Sequence, residues 1–355
     1  VDARTKRLAE TTLALCAIPS VTRDERAIAD ALEQRVRALA GVRVQRIGES
    51  VVAEVGRGPV IALFGHSDTV RAASDQPLAI DGDRVYGCGA SDMKGGLAVM
   101  LELLAEAAAD APASTLRCVF YDREEGPAAE SGLIPLLEGG DAVDREVVLA
   151  LCLEPTDNRI EAGCVGGLHA RVGFRGRRAH SARPWQGDNA IYKSIDLLTA
   201  LRDRPRRAVE IDGLVFYEVL SATLAGTDNS RNVVPELFTL NLNFRYAPGR
   251  SADDAIAELR AFVPADAELE IIDIAPAGAV RLDEPRLRAW IARCKLPIAA
   301  KQAWTDVARL SARGVAAVNF GPGATAEAHQ ARESISAAAL AEHHAALHEL
   351  LWSEP

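Results

Sequence analysis

Six side chains able to bind a cation or move a proton stand just beyond strand-like segments or at the mouth of a helix. The apolar run Val60–Phe64 leads into Gly65-His66-Ser67-Asp68. Residues two apart in extended backbone share a side, so Asp68 can reach the His66 imidazole. A carboxylate on one ring nitrogen fixes the tautomer and leaves the other nitrogen for a metal. A glycine-rich turn, Tyr86-Gly-Cys-Gly-Ala-Ser-Asp-Met-Lys-Gly-Gly, places Asp92 where a helix begins. The strand-like Leu116–Tyr121 ends in Asp122-Arg123-Glu124-Glu125, and Val147–Leu153 ends in Glu154. His329 follows the short apolar stretch Ala316–Phe320. Each residue alone has an ordinary explanation: a solvated turn, or a helix cap for Ser91 or Asp92. Their shared position is the signal, because open α/β sheets assemble sites at strand ends.

Two histidines and three carboxylates suit two zinc-class ions, each with one histidine and one carboxylate of its own and one carboxylate shared. Mixed nitrogen and oxygen ligation is the catalytic pattern, whereas all-cysteine sets are structural. Two such ions roughly 3.5–4 Å apart can polarise a carbonyl and hold a water between them. One carboxylate must then stay off the ions to take the water's proton. That accounts for adjacent glutamates: one of Glu124 and Glu125 ligates and the other serves as base. Competing motifs fail. There is no Walker spacing, the glycines at 321–326 lack a following βαβ unit, and no GxSxG elbow occurs. His343, His344 and His348 lack an HExxH pattern and read as an exposed helix face.

The elements that must position these residues follow from periodicity. Helical spacing covers Thr5–Ala17 and Asp24–Ala40, with Thr22 available as a cap for the latter, then Ser91–Ala109 and Glu130–Glu138. Between them, near-continuous apolar strands indicate a sheet buried on both faces. From residue 168 the order becomes β-α-β-β-α-β: strands at Leu168–Phe174, Val215–Leu224, Leu237–Tyr246 and Leu269–Ile274, with helices at Asn189–Arg202 and Ala252–Phe262. Further helices at Asp283–Cys294, Asp306–Arg313 and Ser336–Trp352 resume the first pattern. The expected organisation is an α/β catalytic domain in two parts, 1–167 and 276–355, interrupted by an inserted domain at 168–275.

Composition narrows the function. The 355 residues are 48% hydrophobic with a formal charge of −10, which argues against a nucleic-acid partner. No apolar run approaches a membrane span, and the first residues lack a signal-peptide core. Six scattered cysteines without CxxC spacing suit reduced thiols, so the expectation is a soluble cytoplasmic enzyme or small-molecule binder.

Taken together, GHSDTV, GCGASDMKGG, DREEG, LEPTD, GRRAHSA, NVVP and FGPG with His329 resemble, in order, the M20 family of co-catalytic zinc aminoacylases and peptidases. The resemblance implies a zinc-aminopeptidase-like α/β catalytic domain with an inserted ferredoxin-like (βαββαβ) domain for dimerisation or closure as a lid. It implies two Zn2+ per subunit, with Co2+ able to substitute: His66 and Glu154 on single ions, Asp92 bridging, and Glu125 and His329 completing the pair. Glu124 would be the general base and Asp68 the residue that orients His66. His180 would stabilise the oxyanion, in its own subunit or across a homodimer, and Asn232 would contact substrate. Within the family, LEPTDNRIEAGC, AHSARPWQGDNAI, NFRYAPG and WTDVARLSARGVAAVNFGPG resemble the succinyl-diaminopimelate desuccinylases, the actinobacterial ones especially. That likeness implies a small acylated amino acid carrying several carboxylates. Arg171, Arg175, Arg177, Arg178 and Arg183 gather around His180, and Arginine suits carboxylates. Arg178 and, on an otherwise apolar strand, Arg245 are the candidates. One departure is Gly163-Cys-Val-Gly-Gly167, where proteobacterial members carry an arginine-containing turn. N-acetylornithine or a dipeptide as substrate, and a non-catalytic binding protein, remain alternatives.

Overall fold

The computed structural model describes residues 2–139 and 142–353; the outermost expected domain bounds, 1 and 355, lie outside them. The chain forms two compact units. One comprises Val1–Ala162, Arg281–Ala299 and Thr305–Pro355, the other Gly163–Val280 and Ala300–Trp304.

The first unit is built on an eight-stranded sheet. Its order is Arg43–Ile47, Ser50–Val55, Thr115–Tyr121, Val60–His66, Val147–Cys152, Ala317–Asn319, Ile160–Ala162 and Ile298–Ala300. The strands from Thr115–Tyr121 to Ala317–Asn319 in this order are mutually parallel. Val60–His66 is buried throughout, which is why it reads as an unbroken apolar run. Leu133, Leu136, Val307 and Leu310 pack beside Phe64, Val119 and Tyr121. Elsewhere Gly65 leaves room for Leu97, since a Cβ there would lie 2.5 Å from the leucine Cδ2. From Val60–His66 the chain proceeds to a neighbour on one side, Thr115–Tyr121, and only later to Val147–Cys152 on the other. Such a divergence opens a crevice beyond the carboxyl ends of the strands.

Four expectations need correction. The helix expected from Ser91 starts at Gly95; Ala90–Lys94 is a wider turn in which Asp92 and Met93 leave helical geometry. Thr22 does not cap the second helix, which runs Arg26–Arg37 behind Glu25; its hydroxyl instead donates to Asp68. Glu130–Glu138 divides into a 3-10 turn, Ala128–Glu130, and a helix, Leu133–Glu138. Finally, His343 and His344 are buried rather than exposed. Each finds a polar partner, Asn158 at 3.0 Å and Glu106 at 2.9 Å, and burial pushes the His343 ring down to about 3.

The second unit has a wholly antiparallel sheet in the order Arg207–Ile211, Leu214–Gly226, Leu237–Tyr246, Gly166–Arg175 and Glu268–Ala275. Without the edge strand Arg207–Ile211, the others stand second, third, first, fourth in chain order. Leu237–Tyr246 alternates in burial, as a strand with one covered face must. Leu197 and Leu201 of helix Ile195–Asp203, with Ala255 and Leu259 of helix Ala252–Phe262, share a core with Leu168, Val172, Leu242 and Phe244. The edge strand, not foreseen, is joined to the next by a two-residue turn. Asp212 and Gly213 both have positive φ there, the geometry that an Asp-Gly hairpin signals.

Candidate active site

The parallel strands deliver their donors to one edge. His66 ends its own strand, Glu124 and Glu125 follow Thr115–Tyr121, Glu154 follows Val147–Cys152, and His329 lies on the loop after Ala317–Asn319. Asp92 joins them from the turn Ala90–Lys94. Ligand atoms of His66, Asp92 and Glu154 lie within 4.8 Å of one another, as do those of Asp92, Glu125 and His329. Asp92 is common to both groups. His66, Glu124 and Glu125 form a third such group, so Glu124 faces the same space.

Hydrogen bonds fix the ligand orientations. His66 Nδ1–H donates to the Asp68 backbone carbonyl at 3.0 Å, leaving Nε2 toward Asp92 Oδ1 at 3.2 Å. The Asp68 carboxylate stands 3.5 Å from the same Nδ1, farther than expected from a side-chain bond. Its main partners are elsewhere. Oδ1 accepts from the Glu124 backbone N–H at 2.9 Å, and Oδ2 accepts from that of Glu125 at 3.0 Å and from the Thr22 hydroxyl at 2.9 Å. Asp68 therefore ties the histidine strand to the paired glutamates. His329, in a positive-φ conformation, places Nε2 2.7 Å from Glu125 Oε1 and 3.5 Å from Asp92 Oδ2.

The cluster favours positive charge. Asp92 and Glu125 raise His329 to about 10. Burial opposes protonation of His66, but Asp68 and Asp92 outweigh it and hold that ring well above its ordinary value. Asp92 is pulled the other way: burial raises its carboxyl, and the two histidines more than reverse the effect. For Glu124 burial, followed by repulsion from Glu154, outweighs the pull of His66 and lifts it well above a normal carboxylate. A site that retains protons on imidazoles this strongly also stabilises divalent cations, and its mixed donors fit the zinc class.

The remaining candidates lie in the second unit. His180 and Asn232 meet on the small ladder where Ala179–His180 pairs with Val233–Val234; Ser181 N–H donates to the Asn232 carbonyl at 2.9 Å. Ala182 N–H donates to His180 Nδ1 at 3.0 Å, so the proton of the neutral ring sits on Nε2. Arg178 pairs with Glu236 at 3.2 Å on the surface, and Arg171 and Arg175 likewise meet Glu270 and Glu268. Arg245 differs. It is half-buried, no carboxylate among the described residues pairs with it, and burial lowers its pKa. Its guanidinium lies over Gly167, where a Cβ would stand 2.9 Å from Nη1. Gly167, near the start of the strand Gly166–Arg175, thus supplies space for an arginine from the neighbouring strand. Glu333, whose carboxylate holds the Asp92 turn, was not legible; nothing in Gln-Ala-Arg-Glu-Ser distinguishes it from a solvated loop glutamate.

Comparison with known proteins agrees with this architecture. Residues 62–353 match the model of Peptidase family M20/M25/M40, and the chain belongs to that family. It is a metal-dependent hydrolase of the M20 type, with candidate metal-binding residues in the first unit. Among its relatives is a Mycobacterium tuberculosis (strain H37Rv) protein provisionally named succinyl-diaminopimelate desuccinylase DapE, 40% identical over 90% of this chain and 91% of that protein. The succinyl-diaminopimelate desuccinylase of Corynebacterium glutamicum is 37% identical over 89% of this chain and 88% of its own. The fold is that of a Staphylococcus aureus tripeptidase, with TM-score 0.79, 19% identity and coverage of 98% and 97%. Aminopeptidase PepT from Bacillus cereus gives TM-score 0.78 at 18% identity, with 98% of each chain covered. No helix among the described residues is long and apolar enough to cross a membrane.

Proposed function

We propose that the chain is a two-zinc amidohydrolase that cleaves N-succinyl-LL-2,6-diaminopimelate to succinate and LL-2,6-diaminopimelate, a step of lysine and diaminopimelate biosynthesis. The observation that carries the chemistry is the pair of three-donor groups sharing Asp92, with a further carboxylate, Glu124, facing the same space. His66, Glu154 and Asp92 would hold one ion, and Asp92, Glu125 and His329 the other. Bound there, the ions supply Lewis acidity toward an amide carbonyl and a water.

The protein residues do the rest. Glu124 takes a proton from water as its oxygen bonds to the carbonyl carbon. The raised pKa of this carboxyl suits it to hold that proton and then deliver it to the amine nitrogen as the C–N bond breaks. Asp68 keeps the paired glutamates and His66 in register. His180, with Nε2–H free to donate, is assigned to the oxyanion, and Asn232 and Arg245 to the substrate. Support for the succinyl substrate comes from the names of the relatives at 40% and 37% identity and from Arg245, which has no acidic partner among the described residues. Arg178 is the weaker assignment, since Glu236 already neutralises it.

We read the second unit as the ferredoxin-like insert through which two copies pair. Its strand order supports the first part. Exposed Trp185, Tyr192, Ile195 and Leu224 support the second, as does the edge of Leu214–Gly226 beyond Glu218, which the strand Arg207–Ile211 does not cover.

Hydrolysis of N-succinyl-LL-diaminopimelate against N-acetylornithine by zinc-loaded protein, with a chelated control, tests the substrate. Strong preference for the succinyl compound, lost on chelation, is expected. Preference for acetylornithine would keep the chemistry and overturn the substrate.

A further inference from the structure

Glu333 is almost completely buried, and its carboxylate is filled with backbone donors. Oε1 accepts from Ser91 N–H at 2.8 Å and Asp92 N–H at 2.9 Å; Oε2 accepts from Gly89 N–H at 2.9 Å. Its own carbonyl accepts from Gly87 N–H at 3.1 Å. The turn that presents Asp92 is therefore bound to the segment that follows His329. A second strap runs in parallel, since the Ser91 hydroxyl donates to the Ala324 carbonyl at 2.9 Å.

His329 itself is half exposed and sits on a loop rather than at a strand end. His66, by contrast, ends a buried parallel strand, and Glu154 directly follows another. In the group His66–Asp92–Glu154 the sheet positions His66 and Glu154, and only the shared Asp92 comes from the turn. The group Asp92–Glu125–His329 has one member whose distance from Asp92 depends on how the loop is tied down.

We infer that Glu333 is a positioning residue that locks the His329 loop to the Asp92 turn and so sets the occupancy of the ion held by Asp92, Glu125 and His329. The inference rests on the two-ion reading above. It assigns Glu333 no contact with substrate or ion. Replacing the carboxylate by an amide sets an –NH2 against backbone N–H groups, so at least one of the three bonds is lost.

The test is zinc binding by calorimetry and competing chelator on stripped wild type and Glu333→Gln, each also combined with His329→Ala. Wild type should take up two ions. In Glu333→Gln one binding step should weaken by about 10- to 100-fold, the range seen for residues that orient ligands, while the other, which shares Asp92 but not His329, weakens clearly less. In the His329→Ala background, where that ion has already lost a ligand, Glu333→Gln should add little. Equal weakening of both steps, or no weakening, would overturn the inference while leaving the two-ion reading intact. A wild type that binds only one ion would overturn that reading and this inference together. Should Glu333→Gln not fold, Glu333→Asp, which keeps the charge but shortens the reach, is judged by the same criteria.

Discussion

At the scale of single residues, the candidate site is a cluster of carboxylates that two imidazoles partly neutralise. Linkage gives the consequence its sign. A histidine whose folded pKa is raised contributes stability that is complete below its unfolded value and is lost as pH rises through the folded one. For His329 that window runs from the ordinary 6.5 to about 10. Divalent ions compete for the same nitrogens, so their binding must expel these protons, and affinity must climb across the window. Calorimetry of zinc binding near pH 7.5, in two buffers of different ionisation enthalpy, should show about one or more protons released per chain. Binding without proton release would contradict the assignment of His329 as a ligand. The acid side has a different cause: His343 is buried neutral and bonded to Asn158, so its burial resists protonation without serving the site.

At the scale of elements, legibility tracked how local the signal was. Parallel strands buried on both faces write themselves as apolar runs, and the polar residues after them stand out. His66, Glu124, Glu125 and Glu154 were visible for that reason. Asp92 stands out as a residue, but the sequence around it predicts the first turn of a helix where the chain forms a wider turn. The carboxylate that binds this turn is Glu333, more than two hundred residues away in sequence. Asp68 was assigned to His66 because a period of two brings them together. Its stronger bonds, to the Glu124 and Glu125 backbone, come from a strand adjacent only in the folded sheet. His343 and His344 looked exposed because a polar residue on a helix usually is; their partners, Asn158 and Glu106, are remote. The Arg207–Ile211 hairpin lies outside the expected strands although Asp212-Gly213 is its local signal.

At the scale of the whole molecule, two units divide the work. The first gathers every candidate metal ligand, and the second carries His180, Asn232 and Arg245 together with exposed apolar side chains. Trp185 is 76% exposed, Leu224 71% and Tyr192 69%, side chains that pairing of two copies would cover. Sedimentation should give twice the chain mass, falling toward one chain for a Trp185→Glu, Leu224→Glu variant; a wild type of single-chain mass would dismiss pairing. The central claim, a two-ion hydrolase with a spare carboxylate as base, meets its most direct test in Glu124→Gln. Turnover and bound zinc are measured on one preparation. The account predicts that two ions remain while kcat falls by roughly 10²–10⁴, the share a positioned base supplies. Wild-type turnover by that variant, or loss of an ion along with activity, would contradict it.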